Sequence, residues 1–164
     1  GNGAADDKAV YPYVPDLIRY YLGDEPIIDN VPTYVMWDPD QRAEALGRLG
    51  ELVAKPVGGS GGAGVLIGPQ ADEQELEAAR AAIEADPRNW ITQETVQLSS
   101  LPSFGGERLE PRHVDLRPFV LTGERTEVFP GGLTRVAMRR GSLIVNSSAG
   151  GGSKDTWVLA PEYS

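Results

Sequence analysis

The chain has 164 residues, 40% apolar and 7% aromatic, with a net charge of −9; that is enough for one domain with a real core or two small subdomains, and too apolar for a disordered chain. Its 20 Gly and 13 Pro exclude a coiled coil, and no apolar run approaches the ~20 residues of a membrane-spanning helix. The acidity argues against DNA or RNA as ligand, because phosphate backbones are repelled; with no cysteine, disulfides and thiolate metal sites are excluded, in keeping with a reducing cytoplasm.

Taken in chain order, Leu17 to Tyr21 form a short helix closed by Gly23. Val31 to Trp37 is β-rich and predicts a strand. Asp38-Pro39 opens a helix as cap and first helical residue, with Ala43, Leu46, Leu49 and Val53 as its apolar stripe. Leu52 to Val57 is a short strand carrying Lys55, Gly58 to Gly64 is glycine-rich, and Val65 to Ile67 is a return strand. A second helix from Asp72 to Ala85 has acids in its first turn and buries Leu76, Ala79 and Ile83; Asp86-Pro87 stops it. Trp90 to Leu98 reads as the next strand. The order strand, helix, strand, strand, helix, strand predicts an α+β sandwich with both helices on one face.

Ser99 to Pro111 reads as a polar, mobile loop. From His113 the period changes to two, and strands are expected at 113–121, Glu127 to Phe129, Leu133 to Met138 and Leu143 to Val145, followed by a Gly/Ser loop from Ser147 to Lys154. The chain begins Gly1-Asn2-Gly3 without an initiator Met, and a piece of a longer protein is expected.

Four stretches could carry chemistry. Lys55 is followed at once by glycines and a return strand, an order that favours a hairpin over phosphates above the alternative, a flexible hairpin with an exposed Lys. It is not a Walker A loop, since the Lys precedes the glycines and no helix follows. Ile91 to Val96 could pair its backbone with a purine edge, or be merely a strand with polar residues. His113, Asp115 and Arg117 share one face of a strand, which suits phosphate and carboxylate binding or simple solvation. Arg135, Arg139 and Arg140 precede Asn146 and a Gly/Ser stretch, a second anion loop or charged strand ends with a linker. No nucleophilic triad and no zinc-ligand spacing is present.

Together these pieces resemble the ATP-grasp superfamily in its circularly permuted form, similar in fold to glutathionylspermidine synthase. The matching stretches run in order: Gly1 to Lys8, Ala54-Lys55-Pro56 with its glycines, Gln93-Glu94, Asp115 to Phe119, Gly131 to Ala137, and Val145 to Trp157. The resemblance implies two α+β subdomains with antiparallel or mixed sheets: residues 1–30 a helical segment joining an upstream part, 31–100 the small subdomain with the glycine loop, and 101–164 part of the second. It implies ATP as ligand, with Lys55 on the α/β-phosphates and Gly58, Gly59, Ser60, Gly61, Gly62 and Gly64 covering them. Gln93, Glu94 and Val96 would hold adenine, Arg117 and Arg135 would face the γ-phosphate or an acylphosphate, and Asp115 and Asn146 would lie near the phosphates. It further implies Mg²⁺, whose Glu-x-Asn ligand element has no match here, so that its ligands would lie mostly outside this chain. The expected activity is a cytoplasmic carboxylate–amine ligase acting on an amino acid or peptide. The alternatives are a non-catalytic nucleotide-binding or scaffold protein with a degenerate fold, and a plain α+β interaction module.

Overall fold

The computed structural model describes residues 3, 4, 6–59, 62–145 and 150–159. The fold is α+β, with two antiparallel four-stranded sheets. The chain divides into two compact units, Gly1–Val96 and Gln97–Ser164.

In the first unit, α1 (Val14–Leu22) ends on Gly23, whose φ of +69° is left-handed and suits a residue without Cβ. Strands β1 (Thr33–Val35), β2 (Leu52–Pro56), β3 (Leu66–Ile67) and β4 (Trp90–Glu94) form a sheet in the order β1-β4-β2-β3. Helix α2 (Pro39–Gly47) starts where the sequence predicts: Asp38 accepts from the Asp40 and Gln41 amides. It stops at Gly47, so Val53 belongs to β2 and not to the helical stripe, and Ala45 rather than exposed Ala43 supplies the buried contact. Helix α3 (Glu73–Ala85) opens with a full capping box between Asp72 and Glu75.

Period-two alternation along the strands decides what each face of the sheet packs against. Tyr34, Leu52, Ala54, Leu66 and Trp90 meet Ala45, Leu49, Ala79 and Ile83, so α2 and α3 cover the same face. Fully burying a side chain such as Leu52 or Ile83 stabilises by about 2–3 kcal/mol. The opposite face carries a smaller cluster, Val35, Val57 and Ile91, closed by Ala9 from the N-terminal segment and flanked by Trp37. Because β4 ends at Glu94, the predicted strand to Leu98 is shortened: Gln97 and Leu98 have no partner strand.

In the second unit, β5 (Ser100–Phe104), β6 (Leu109–Thr122), β7 (Thr126–Val136) and β8 (Gly152–Asp155) form the sheet β5-β6-β7-β8. Two corrections follow. The stretch 99–111 is not one loop: its two arms pair, Ser100 opposite His113 through Phe104 opposite Leu109. The end of the Gly/Ser stretch, 152–155, pairs with Leu133 to Val136 as an edge strand, whereas the expected strand at 143–145 is irregular. The Lys154 ammonium of β8 donates to the Pro102 carbonyl of β5 at 2.7 Å, so the two outer strands approach and the sheet curls. Among the described residues of this unit the buried apolar side chains are Val114, Val136, Ala137 and Val145; Arg112 is buried too, and donates to Glu110 at 2.6 Å and to the Met138 carbonyl at 3.0 Å.

Candidate functional site

On the sheet face away from α2 and α3, the antiparallel register sets Thr33, Gln93 and Val53 in one row and Val35, Ile91 and Lys55 in the next. Lys55 and Gln93 are thus diagonal neighbours. The Lys55 ammonium donates to Gln93 Oε1; Gln93 Nε2 donates to Thr33 Oγ1 at 2.8 Å, and the Thr33 hydroxyl donates to the Val31 carbonyl at 2.8 Å. This chain fixes the Gln93 amide with its oxygen towards the cation.

A second cation stands beside the first. Lys8 Nζ donates to the Val57 carbonyl at 3.1 Å and to the Gly59 carbonyl, which ties the N-terminal segment to the start of the glycine loop. Neither ammonium has a carboxylate partner among the described residues. Burial, and then the nearby Lys8 charge, lower the Lys55 pKa from its ordinary 10.5. The two lysines, Gln93 and Ile91 line a cavity of about 530 Å³ together with Asp6 and Asp7, within the range of small-molecule pockets. Asp7 is already engaged, accepting from the Ala9 amide at 2.8 Å and facing Arg88 at 3.6 Å. Two ammoniums without a carboxylate partner among the described residues thus line one cavity in a chain of net charge −9.

The glycine loop closes a β2–β3 hairpin, with Val53 opposite Ile67 and Ala54 opposite Leu66. Gly64 is required there: its φ is +71°, and a Cβ would lie 2.9 Å from Pro56 Cγ. Gly62 also has a left-handed φ, +82°. Gly58 and Gly59 follow Lys55 on the same arm; Ser60 and Gly61 lie outside the described residues.

Glu94 is not with Gln93. Neighbours in a strand point to opposite faces, and Glu94 turns to the helical side, where Arg48 Nη2 donates to both its oxygens at 2.5 and 2.6 Å and the Tyr34 hydroxyl donates at 2.8 Å. Hydrogen bonding to that carboxylate raises the Tyr34 pKa. Val96 lies just past the end of β4 and is exposed.

In the second unit, Asp115 and Arg135 are directly opposite across β6 and β7, with Ser153 of β8 next in the row. Arg117 Nη2 lies 3.1 Å from Asp115 Oδ2, forming an ion pair on the same face. Arg135 Nε is a buried donor with no partner among the described residues. His113 Nδ1 lies 3.1 Å from the Leu98 carbonyl. Asn146 lies outside the described residues.

The profile of the family described as Circularly permuted ATP-grasp type 2 matches residues 1–137. The chain belongs to this family. An uncharacterized protein of Mycobacterium leprae is 55% identical over 165 residues, covering 100% of this chain and 29% of that protein. An uncharacterized protein of Synechocystis is 53% identical over 160 residues, 97% of this chain and 33% of the relative. A Frankia alni protein bearing the name "Putative glutamate--cysteine ligase 2-3" is 56% identical over 158 residues, 96% of this chain and 18% of its own length. The chain therefore spans a third or less of these relatives.

Sequence reasoning missed Lys8 as a site residue. Nothing local links it to Lys55; the contact arises only when the N-terminal segment packs on the outer face of the sheet through Ala9. The opposed directions of Gln93 and Glu94 were available from strand periodicity alone.

Proposed function

We propose that this chain carries the nucleotide-binding part of an ATP-dependent carboxylate–amine ligase. The observation that carries the reading is the pair of lysines, Lys8 and Lys55, without carboxylate partners among the described residues, at one cavity beside a glycine hairpin, in a chain of the permuted ATP-grasp family. The name of the Frankia alni relative supports a ligase.

In this reading Lys55 holds the α/β-phosphates, and the backbone amides of Gly58 to Gly64 approach the triphosphate closely because glycine presents no Cβ. Gln93 orients the Lys55 ammonium. The backbone from Gln93 to Val96 holds adenine. In the second unit, Arg135 has a buried donor without a partner among the described residues and Arg117 is paired with Asp115; the role proposed for each is to stabilise a developing phosphoryl or acylphosphate charge. An oxygen of the substrate carboxylate attacks the γ-phosphorus and the bond to ADP breaks. The amine of an amino acid or peptide then attacks the acyl carbon, phosphate leaves, and the amine loses a proton. Fixed cations at the site of growing charge lower that barrier without reorganising.

Magnesium would neutralise phosphate charge when bound. Among the described residues, no group of three or more His, Asp or Glu is gathered to hold a metal. A cytoplasmic location goes with this reading; among the described residues, no helix is long and apolar enough to cross a membrane.

The test is calorimetric titration of ATP, with and without Mg²⁺, into the protein and its Lys55→Met variant. The reading expects binding that weakens at least about tenfold in the variant, the scale of one charge-assisted contact. Equal affinities in the two proteins would remove Lys55 from the site, and binding without any ATP turnover by the full-length protein would favour a nucleotide-binding scaffold.

A further inference from the structure

Behind the site lies a charged cluster that the proposed chemistry does not use. Arg48 sits at the end of α2 and faces three carboxylates. Its Nη2 is shared between the two Glu94 oxygens at 2.5 and 2.6 Å, while Nε lies 3.4 Å from Glu51 and Nη1 3.6 Å from Glu44. Only the Glu94 contact is as short as a strong charge-assisted hydrogen bond. Tyr34 adds a hydroxyl donor to the same carboxylate at 2.8 Å.

The backbone around Glu94 is held from both neighbouring strands. The Glu94 amide donates to the Pro32 carbonyl at 3.0 Å, and the Thr95 hydroxyl donates to the Glu51 carbonyl at 2.6 Å. Arg48 and Glu51 flank one turn, and that turn is itself rigid. It packs on Gly68 so tightly that a Cβ there would lie 2.1 Å from the Leu49 carbonyl oxygen and 2.6 Å from that of Leu52. The end of β4 is therefore tied to Pro32 on one edge and to the turn at 48–52 on the other, while its front carries Gln93.

We propose that Arg48 is a positioning residue for the base end of the nucleotide. Through Glu94 and the turn at 48–52 it fixes the backbone at 94–96, the segment assigned to adenine, and it touches nothing at the triphosphate end around Lys55 and Lys8. The inference rests on the reading under Proposed function. It separates two ends of one ligand: the cluster sets how well the base is held, and the lysines set how well the phosphates are held.

The separation can be read with two probes, ATP and inorganic tripolyphosphate, which carries the phosphate chain without the base. Their affinities are measured for the wild-type protein, Arg48→Met, Arg48→Lys, Tyr34→Phe and Lys55→Met. Arg48→Met is expected to weaken ATP about tenfold, as loss of a half-buried ion pair allows, and to leave tripolyphosphate within about twofold. Arg48→Lys is expected to restore only part of the ATP affinity, because a single ammonium cannot face Glu94, Glu51 and Glu44 at once as the three guanidinium nitrogens do. Tyr34→Phe is expected to weaken ATP about threefold with tripolyphosphate unchanged; it retains the ion pair and reports on the cluster if Arg48→Met fails to fold. Lys55→Met is expected to weaken both probes. Unchanged ATP affinity in Arg48→Met and Tyr34→Phe would overturn the inference while leaving the lysine site standing. A parallel loss of both probes would overturn it too, by showing general loosening of the sheet. A wild-type protein that binds neither probe would overturn the proposed function itself.

Discussion

The two units, Gly1–Val96 and Gln97–Ser164, build their sheets in different ways. The first has strands of two to five residues, buried on both faces: α2 and α3 cover one side, and Ala9, Val35, Val57 and Ile91 pack on the other. The second has strands of 14 and 11 residues in β6 and β7, yet its buried apolar residues are few, and Leu116, Val120, Leu121 and Val128 are exposed. Strand length and core are thus separable. In the first unit, burial fixes the sheet and hence the row in which Lys55 and Gln93 meet. In the second, backbone pairing between long strands fixes Asp115 opposite Arg135, with little side-chain burial beneath.

The sharpest way to break this comparison is truncation within the first core. Ile83→Ala, at a fully buried position, is expected to cost about 3–4 kcal/mol in denaturant unfolding followed by Trp37 and Trp90 fluorescence; a loss below about 1 kcal/mol would show that the α3 face is loosely packed. Gly68→Ala comes next, at about 2–3 kcal/mol, since its new Cβ meets backbone oxygens that cannot move aside. Asp72→Ala removes the capping box of α3 and is expected to cost about 1 kcal/mol.

A fourth test uses pH and has a predicted sign. The lowered Lys55 pKa means that the folded protein gives up this proton at a lower pH than the unfolded chain does. In the window between that lowered pKa and the ordinary 10.5, the unfolded state holds more protons, so this group makes stability rise with pH. Lys55→Met should lose that rise, seen as the difference between wild-type and variant unfolding curves across the alkaline range. The opposite sign would mean that a partner holds the ammonium charged. Smallest of all, Leu121→Ala and Val128→Ala in the second unit are expected to change stability by less than about 0.5 kcal/mol. A larger effect would mean that these side chains are covered.

Much of the first unit is legible in its sequence because its signals are local. Asp38-Pro39 and Asp72 are caps wherever they occur before helical spacing, and Lys55 with its glycines fits a hairpin because only that order returns a strand at Leu66. The second unit is less legible for a physical reason. Residues 100–104 and 152–155 have turn-like composition, Pro with Ser in one and Gly with Ser in the other, and they become strands only because β6 and β7 offer them edges to pair with. The site shows the same divide. Lys55 and Gln93 lie on predicted strands, but Lys8 and Arg48 enter through packing, and no local spacing announces either.

The central claim is that a nucleotide binds on the sheet face where Lys55, Lys8 and Gln93 converge. Amide hydrogen exchange of the protein, with and without ATP and Mg²⁺, tests it most directly. The account predicts slowed exchange at 53–59 and at 91–96, with α3 unchanged. Protection confined to other segments, or none at saturating ATP, would contradict it.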